Sequence, residues 1–505
     1  MKSLLDYFTN EKIWMVNELQ QKKNLVVRCC TCFSLYTSDN DALVQHCDLE
    51  NHDKFIKNTP EVEQIITKLR DEEKELQKHE EEKETKRRKL EASRFTLSDE
   101  SEKLSEKTVT LKSQLDNNPT LFLGIVTTLS ASAQMSIEGV SHPFTIFFTG
   151  NATDKNFITK CFKNNSNFYY TNTFTAKSMV SHSPRIRTWK IRENDLLPKI
   201  RNKVLFSSNT VALFLGNKPT VTDNISLMDS VLDGNGYESH SAVFANRGYK
   251  GDYNFVWSGT ITNLNDRLWS SIGMMNNKPL FFELNNSSSN SIDELTNLVS
   301  NSDMGESIVE QIKKIWEIFS KASHNGEKHL KWDTENDDKK TIEHISKICI
   351  FLSHIRAHIA TKNTHESTSG GTNYNFDTPK CEDSKKLMNT LYNLTRGHAL
   401  LYGRDYLLPE DLEIILHVAI SSIPRDRMNI LKLLIQKKGS VNTFEIEDQL
   451  RVSKATALKE MEKVRLTGIV EDTNTNPTTK PIRGIKLKEQ FEWLYDIKLL
   501  HTHTV

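Results

Sequence analysis

Three patterns of apolar and polar positions divide this 505-residue chain. The first fills residues 60–116, which are mostly polar, with Val62, Leu69, Leu76, Leu90, Leu97, Leu104 and Leu111 recurring every seven residues and Lys83 breaking the series. That spacing predicts one long charged helix after Pro60. Its stripe is thin, because the second seam of a coiled coil holds residues such as Glu72, His79 and Glu100. A solvated spacer fits this pattern as well as a helix that self-associates weakly or holds a protein partner. The stretch from Ser93 to Ser105 marks a candidate interruption.

The second pattern begins at Pro119. Runs such as "LFLGIVTTLSA", "FTIFFTG", "NKVLFSS", "YNFVWSGTI" and "PLFFELN" are short, β-branched or aromatic, and bounded by turn residues. They read as buried strands separated by helices, which predicts a three-layer α/β domain with a mainly parallel sheet over 117–290. The third pattern is helical. Flexible Ser/Asn/Gly-rich connections surround helices expected near 305–323, 340–362, 384–403 and 409–422. Residues 425–473 then give an amphipathic helix, a helix capped by Asn442 or Thr443, a turn, and a helix starting at Ser453. "GIVED" and "IRGIKL" are set to pair as a hairpin. This order predicts a winged helix-turn-helix over 425–505.

Composition narrows the function classes. The chain is too long for one core, so several domains are expected. Lys+Arg and Asp+Glu balance at 66 each, so any nucleic-acid binding must come from local patches. No apolar run of about 18 residues exists, which predicts no membrane span. "MKSLLDYFTNEKIW" does not read as a secretory signal. Seven cysteines, few and odd in number, suit a reducing compartment. The expected place is the cytoplasm, at the nucleoid if the source is prokaryotic.

Four cysteines lie in the first fifty residues. Cys29 and Cys32 are followed by His46 and His52 at the spacing of a two-cysteine, two-histidine Zn²⁺ site. Cys30 and Cys47 are rival ligands. The segment resembles a classical ββα zinc finger, with Tyr36 and Leu43 in its small apolar core. The helix expected from Asp39 to His52 carries Asp39, Asp41, Asp48 and Glu50, which argues against major-groove reading by this finger.

"TIFFTGNATDKN" has the layout of a phosphate-binding loop between strand and helix, but not the pattern G-x-x-x-x-G-K-[ST]. Gly150 leads to Lys155 through a loop one residue short, and Asn156 replaces the magnesium-binding hydroxyl. On "VLDGNGY", "RGYKGDYNFVWSGT" and "YNLTRGHALLYGRDYLLPEDL", residues 120–470 resemble prokaryotic AAA+-like P-loop proteins related to the minichromosome-maintenance helicases. The resemblance implies an AAA+ core, a helical lid over 291–424 and a C-terminal winged helix. It also implies an acid at the end of "KVLFSSN", where Ser208 or Asn209 stands, and an arginine before the last strand, where Lys278 stands. Lys385 or Lys386 falls near the place of a lid cation, and Arg247 and Lys250 lie on a projecting hairpin. Three departures in three roles of phosphoryl transfer predict lost hydrolysis, with ATP/Mg²⁺ binding doubtful.

The expected function is therefore that of a DNA-associated binding or regulatory factor with a degenerate nucleotide site. An active ATP-dependent helicase or remodeller is the first rival, and a protein-interaction scaffold the second. Lys454, Thr456, Lys459 and Lys463 are expected to face double-stranded DNA. Ala457, Leu458, Met461, Val464 and Leu466 are expected to form the buried side of the same helix.

Overall fold

A computed structural model describes residues 14–19, 24–29, 35–37, 98–140, 142–163, 165, 167–180, 194–241, 245–261, 264–284, 302–322, 330, 332–364, 373–475 and 482–497. The chain divides into two units, Met1–Thr96 and Leu97–Val505. In the first, β1 (Trp14–Leu19), β2 (Asn24–Cys29) and β3 (Leu35–Thr37) form an antiparallel sheet in that order. Val27 lies opposite both Val16 and Tyr36. The helix expected from Asp39 to His52 and most of the expected stalk lie outside the described residues.

The second unit opens with α1 (Ser98–Gln114), which runs unbroken through part of the stretch where an interruption was expected. Leu104, Leu111 and Leu115 are buried. The Thr108 hydroxyl donates to the Leu401 carbonyl at 3.0 Å, and the Lys107 carbonyl accepts from Gln311 at 3.1 Å. The seven-residue beat at this end is therefore a core face of the chain's own fold, not a stripe left for a partner.

A second correction concerns "LFLGIVTTLSA", which is not a strand but part of α2 (Pro119–Ala133). Asn118 caps it by accepting from the Leu121 amide at 3.0 Å, and Pro119 suits the first turn. Every residue from Thr120 to Ala133 is buried. With no polar face, the helical period never appears in the sequence.

The chain continues through β4 (Phe144–Thr149), α3 (Ala152–Phe162), β5 (Phe168–Thr171), α4 (Leu196–Ile200), β6 (Val204–Ser207) and α5 (Lys218–Leu232). Then come the hairpin β7 (Gly236–Ser241) and β8 (Ala245–Lys250), β9 (Val256–Thr260), α6 (Asp266–Gly273) and β10 (Leu280–Glu283). Five strands pair in the order β10-β4-β9-β6-β5, all parallel. Period-two alternation sends Ile146, Phe148, Val204, Phe206 and Phe282 into one core with α2 and α3. It sends Phe147, Leu205, Trp257 and Phe281 into another with α4, α5 and α6. The sheet is thus buried on both faces, as parallel sheets require. At its β10 edge the Phe281 and Glu283 amides each donate at 2.9 Å to the hydroxyls of Ser422 and Ser421, which satisfies a row that would otherwise invite pairing.

Helices α7 (Ser302–Ala322), α8 (Lys339–Ile355), α9 (Ser384–Leu401) and α10 (Leu412–Ser421) follow. The helix expected to reach 362 stops at Ile355, and a hairpin of β11 (Thr361–Thr364) and β12 (Asn373–Phe376) takes over. The carboxyl-terminal region comprises α11 (Arg425–Lys437), β13 (Val441–Asn442), α12 (Thr443–Leu450), α13 (Lys454–Leu466), β14 (Val470–Thr475) and β15 (Ile482–Leu487). Its strands pair antiparallel in the order β13-β15-β14. Asn442 and Glu445 form a reciprocal capping box on α12, and Ser453 caps α13. Phe351 of α8 meets Phe491 and Trp493 edge-on, and His354 Nδ1 lies 2.9 Å from the Thr467 carbonyl. These contacts anchor the region to α8.

Candidate functional site

The Gly150 loop lies at the carboxyl end of β4, where open parallel sheets usually hold ligands. Its parts are satisfied from within the chain. Gly150 has φ +102°, and a Cβ there would lie 2.1 Å from the Leu284 carbonyl oxygen, so packing against the residue after β10 explains the glycine. Asn151 caps α3 by accepting from the Asp154 amide at 2.7 Å. Asp154 is itself buried, and its carboxylate accepts from Asn151 at 2.9 Å and Asn118 at 3.3 Å. A carboxylate in the first turn already occupies the positive end of α3, where a phosphate would sit. Lys155 is buried and its Nζ donates to the Ile261 carbonyl at 3.2 Å. Burial lowers its pKa from the ordinary lysine value. Asn156 is exposed.

The strand-end positions follow the same rule. Ser208 and Asn209 donate their amides to the carbonyls of Thr171 and Asn172 at 3.2 and 2.9 Å. The Thr260 hydroxyl donates to the Ser208 carbonyl at 2.7 Å. The loop thus brings a lysine, an inward carboxylate and amide side chains together, but offers no magnesium-binding arrangement at the expected positions. ATP/Mg²⁺ does not fit these residues.

Lys278 and the lid lysines sit elsewhere. Lys278 precedes β10, which runs parallel to β4, so it lies at the end of the sheet opposite Gly150. Its side chain is 7 % exposed, pairs with Glu382 at 3.4 Å and donates to the Arg356 carbonyl at 3.3 Å. Burial lowers its pKa even though Glu382 favours the charged form. At this position, where the resemblance implies an arginine, the Lys278 ammonium is held inside its own chain. Lys386 pairs with Asp233 at 3.2 Å and lines a small pocket with His142, Thr145 and Lys278, again beside the strand starts. Neither its position nor that of neighbouring Lys385 is beside the Gly150 loop. On the β7–β8 hairpin, Lys250 pairs with Glu238 at 3.4 Å.

The amino end of β10 opens onto a cleft of about 860 Å³. Its walls are α6, residues 356–360, the start of α11 and one side of α13. Basic groups dominate it: among the described residues Arg267, Lys278, Arg356, Arg425, Arg427, Lys459 and Lys463, with His358, line it against a single lining acid, Asp426. Arg356 is 3 % exposed; its Nη2 donates to the Pro279 carbonyl at 2.6 Å, while Nε and Nη1 have no hydrogen-bond partner among the described residues. Its link to Glu382 is an ion pair at 3.4 Å. Arg427, also buried, donates through Nη1 to the Ile355 carbonyl and, among the described residues, has no hydrogen-bond partner at Nε. Burial, then the cations Lys278, Arg427 and Lys380, push His358 below the usual histidine value. None of these positions was singled out in the sequence except Lys278, Lys459 and Lys463.

On α13 the four expected DNA contacts separate into two groups. Lys454 and Thr456 are exposed at its amino end. Lys459 is half-buried and faces the cleft. Lys463 is only 16 % exposed and reaches Asp426 and Glu460 at 3.0 Å each. Burial opposes its charged form, but the two carboxylates outweigh it and hold the ammonium above its usual value. Lys463 is therefore a strut between α13 and α11 rather than a free phosphate contact. The apolar side is as read for Ala457, Met461 and Val464, while Leu458 and Leu466 are half-buried.

Of the expected zinc ligands, Cys29 ends β2, while Cys32, His46 and His52, with the rivals Cys30 and Cys47, lie outside the described residues. Among the described residues no cluster of three or more His, Cys, Asp or Glu side chains could hold a metal, and no helix is long and apolar enough to cross a membrane. No protein-family model and no curated protein sequence matches this chain.

Proposed function

We propose that this protein is a DNA-associated factor built on an AAA+-like P-loop core that does not turn over ATP, with duplex DNA held by a C-terminal winged helix. The observation that carries the reading is the start of α13. There Lys454 and Thr456 stand exposed beside the Ser453 cap, on the last helix of a helix–strand–helix–helix–hairpin order, the second of its helix-turn-helix pair. In winged helices this second helix commonly enters the major groove. The inward-turned Asp154 and the buried Lys155 support loss of hydrolysis. Lys155→Ala should leave ATPase activity at background, and robust turnover that this change abolishes would favour a motor instead.

The DNA reading is tested on the full chain by duplex binding across a salt series. Lys454→Ala should reduce the slope of log affinity against log salt by roughly one, on unrelated sequences alike. Lys463→Ala should leave the slope nearly unchanged, because that ammonium is committed to Asp426 and Glu460. A slope indifferent to Lys454 would leave the module as a protein-docking element. That second reading has its own observation, Phe444, 73 % exposed on α12. We also propose one Zn²⁺ on Cys29, Cys32, His46 and His52. Metal analysis of the full chain should give about one zinc per chain, reduced when Cys32 and His52 are changed together.

A further inference from the structure

We propose that the basic cleft beside the amino end of β10 is a binding site for a small molecule carrying two or more linked phosphoryl groups, held by Arg356, Arg427, Lys459 and Arg425. It is separate from the Gly150 loop, and it does not rest on the winged helix binding DNA. The argument starts from charge. The side chains of Lys278, Arg356 and Arg427 are largely enclosed, yet among the described residues Glu382 is the only carboxylate that pairs with Lys278 and Arg356, at 3.4 Å in both cases. Asp426, the only acid lining the cleft among the described residues, is engaged by Lys463. Buried cations in excess of their counter-charges are costly unless something else supplies negative charge.

Unmet hydrogen bonding points the same way. Buried polar groups in folded proteins almost always have partners, so the exceptions call for a cause. Among the described residues Arg356 Nε and Nη1 and Arg427 Nε all lack one, Arg356 Nε lying 3.4 Å from a Glu382 oxygen that lacks one too, and both arginines line the same cleft. A phosphoryl oxygen is the acceptor a guanidinium fork matches best. Space is available too. The cleft volume lies in the range of small-molecule sites, too small for a duplex. Gly273 borders it, and a Cβ there would fall 2.4 Å from His358 Nδ1, so glycine lets that imidazole pack against the end of α6. Several cations arrayed along one cleft favour a linked oligophosphate over a single phosphate.

The test is calorimetric titration of the full chain with pyrophosphate. The parent should bind, and Lys155→Met should bind equally. Arg425→Ala with Lys459→Ala, changes at the cleft rim that leave the buried cluster in place, should weaken binding by about tenfold or more. Arg356→Gln should abolish it. Because that variant can lose its fold, its thermal transition is recorded alongside, and the rim pair decides if folding fails. No binding by the parent, or binding lost in Lys155→Met and kept in the rim pair, would overturn the assignment. A 5′-phosphorylated oligonucleotide that binds where pyrophosphate does not would overturn it as well.

Discussion

The two ends of the parallel sheet present opposite cases. At the carboxyl end of β4, a strand, a glycine, a polar loop and a lysine give the outline of a phosphate loop. Yet the glycine fits against Leu284, the lysine donates to Ile261, and Asp154 occupies the helix start. At the amino end of β10, no motif announces anything, but among the described residues arginine nitrogens are buried without hydrogen-bond partners in a cleft lined by seven Lys and Arg side chains. A motif outline reports where backbone turns; whether a site can take a ligand depends on which polar groups remain unmet once the chain has folded.

That contrast can be broken at either end. The largest effect should come from Glu382→Gln, which leaves Lys278 and Arg356 buried without their carboxylate. Loss of one partner from a buried ion cluster costs about 3–5 kcal/mol, measurable by urea denaturation. Added pyrophosphate should restore part of that loss if the cleft takes anions. Next comes Gly150→Ala. A positive φ and a contact with the Leu284 backbone predict about 2 kcal/mol or more of lost stability, with pyrophosphate affinity of the folded protein unchanged. Should Gly150→Ala instead fold normally and lose anion binding, the loop has a ligand role that its packing conceals. A smaller effect attaches to Asp426→Asn, which removes a lining carboxylate from the cleft and leaves Lys463 held by Glu460 alone. It should tighten pyrophosphate binding several-fold while weakening the link between α11 and α13.

The smallest effect is a dependence on pH. His358 is held below its ordinary value of 6.5, so the unfolded chain takes up the proton first as pH falls. Its contribution is therefore intact above 6.5 and is lost progressively as pH drops through the folded value. Comparison with His358→Gln should show parent stability declining relative to the variant only below about pH 6.5. Pyrophosphate in the cleft should raise the folded value and shrink the difference. A difference that persists unchanged above pH 7 would remove His358 from this account.

Much of the sheet was legible because its strands alternate. "FTIFFTG", "NKVLFSS", "YNFVWSGTI" and "PLFFELN" each contain a strand of the parallel sheet. The run at 119–133 was not, since a helix buried on all sides has no polar period, and only its length distinguishes it from a strand. β5 was missed because Phe168–Thr171 is four residues long and carries two tyrosines at a half-exposed edge. In the carboxyl-terminal region, caps at Asn442 and Ser453 were readable because capping is local. The role of Lys463 was not readable, because its partner Asp426 lies 37 residues away. The cleft is the extreme case. Lys278, Arg356, Arg427 and Lys459 come from four separate elements or connections, and only the packing of α6, α8, α11 and α13 brings them together.

The central claim is that the anion site of this protein lies at the amino end of β10 and not in the loop after β4. Crystals of the full chain soaked with tungstate, a heavy phosphate-like anion, locate it directly by anomalous scattering. The account predicts a peak in the cleft within hydrogen-bond reach of Arg356 or Arg427. A peak cradled by residues 150–156, with the cleft empty, would contradict it.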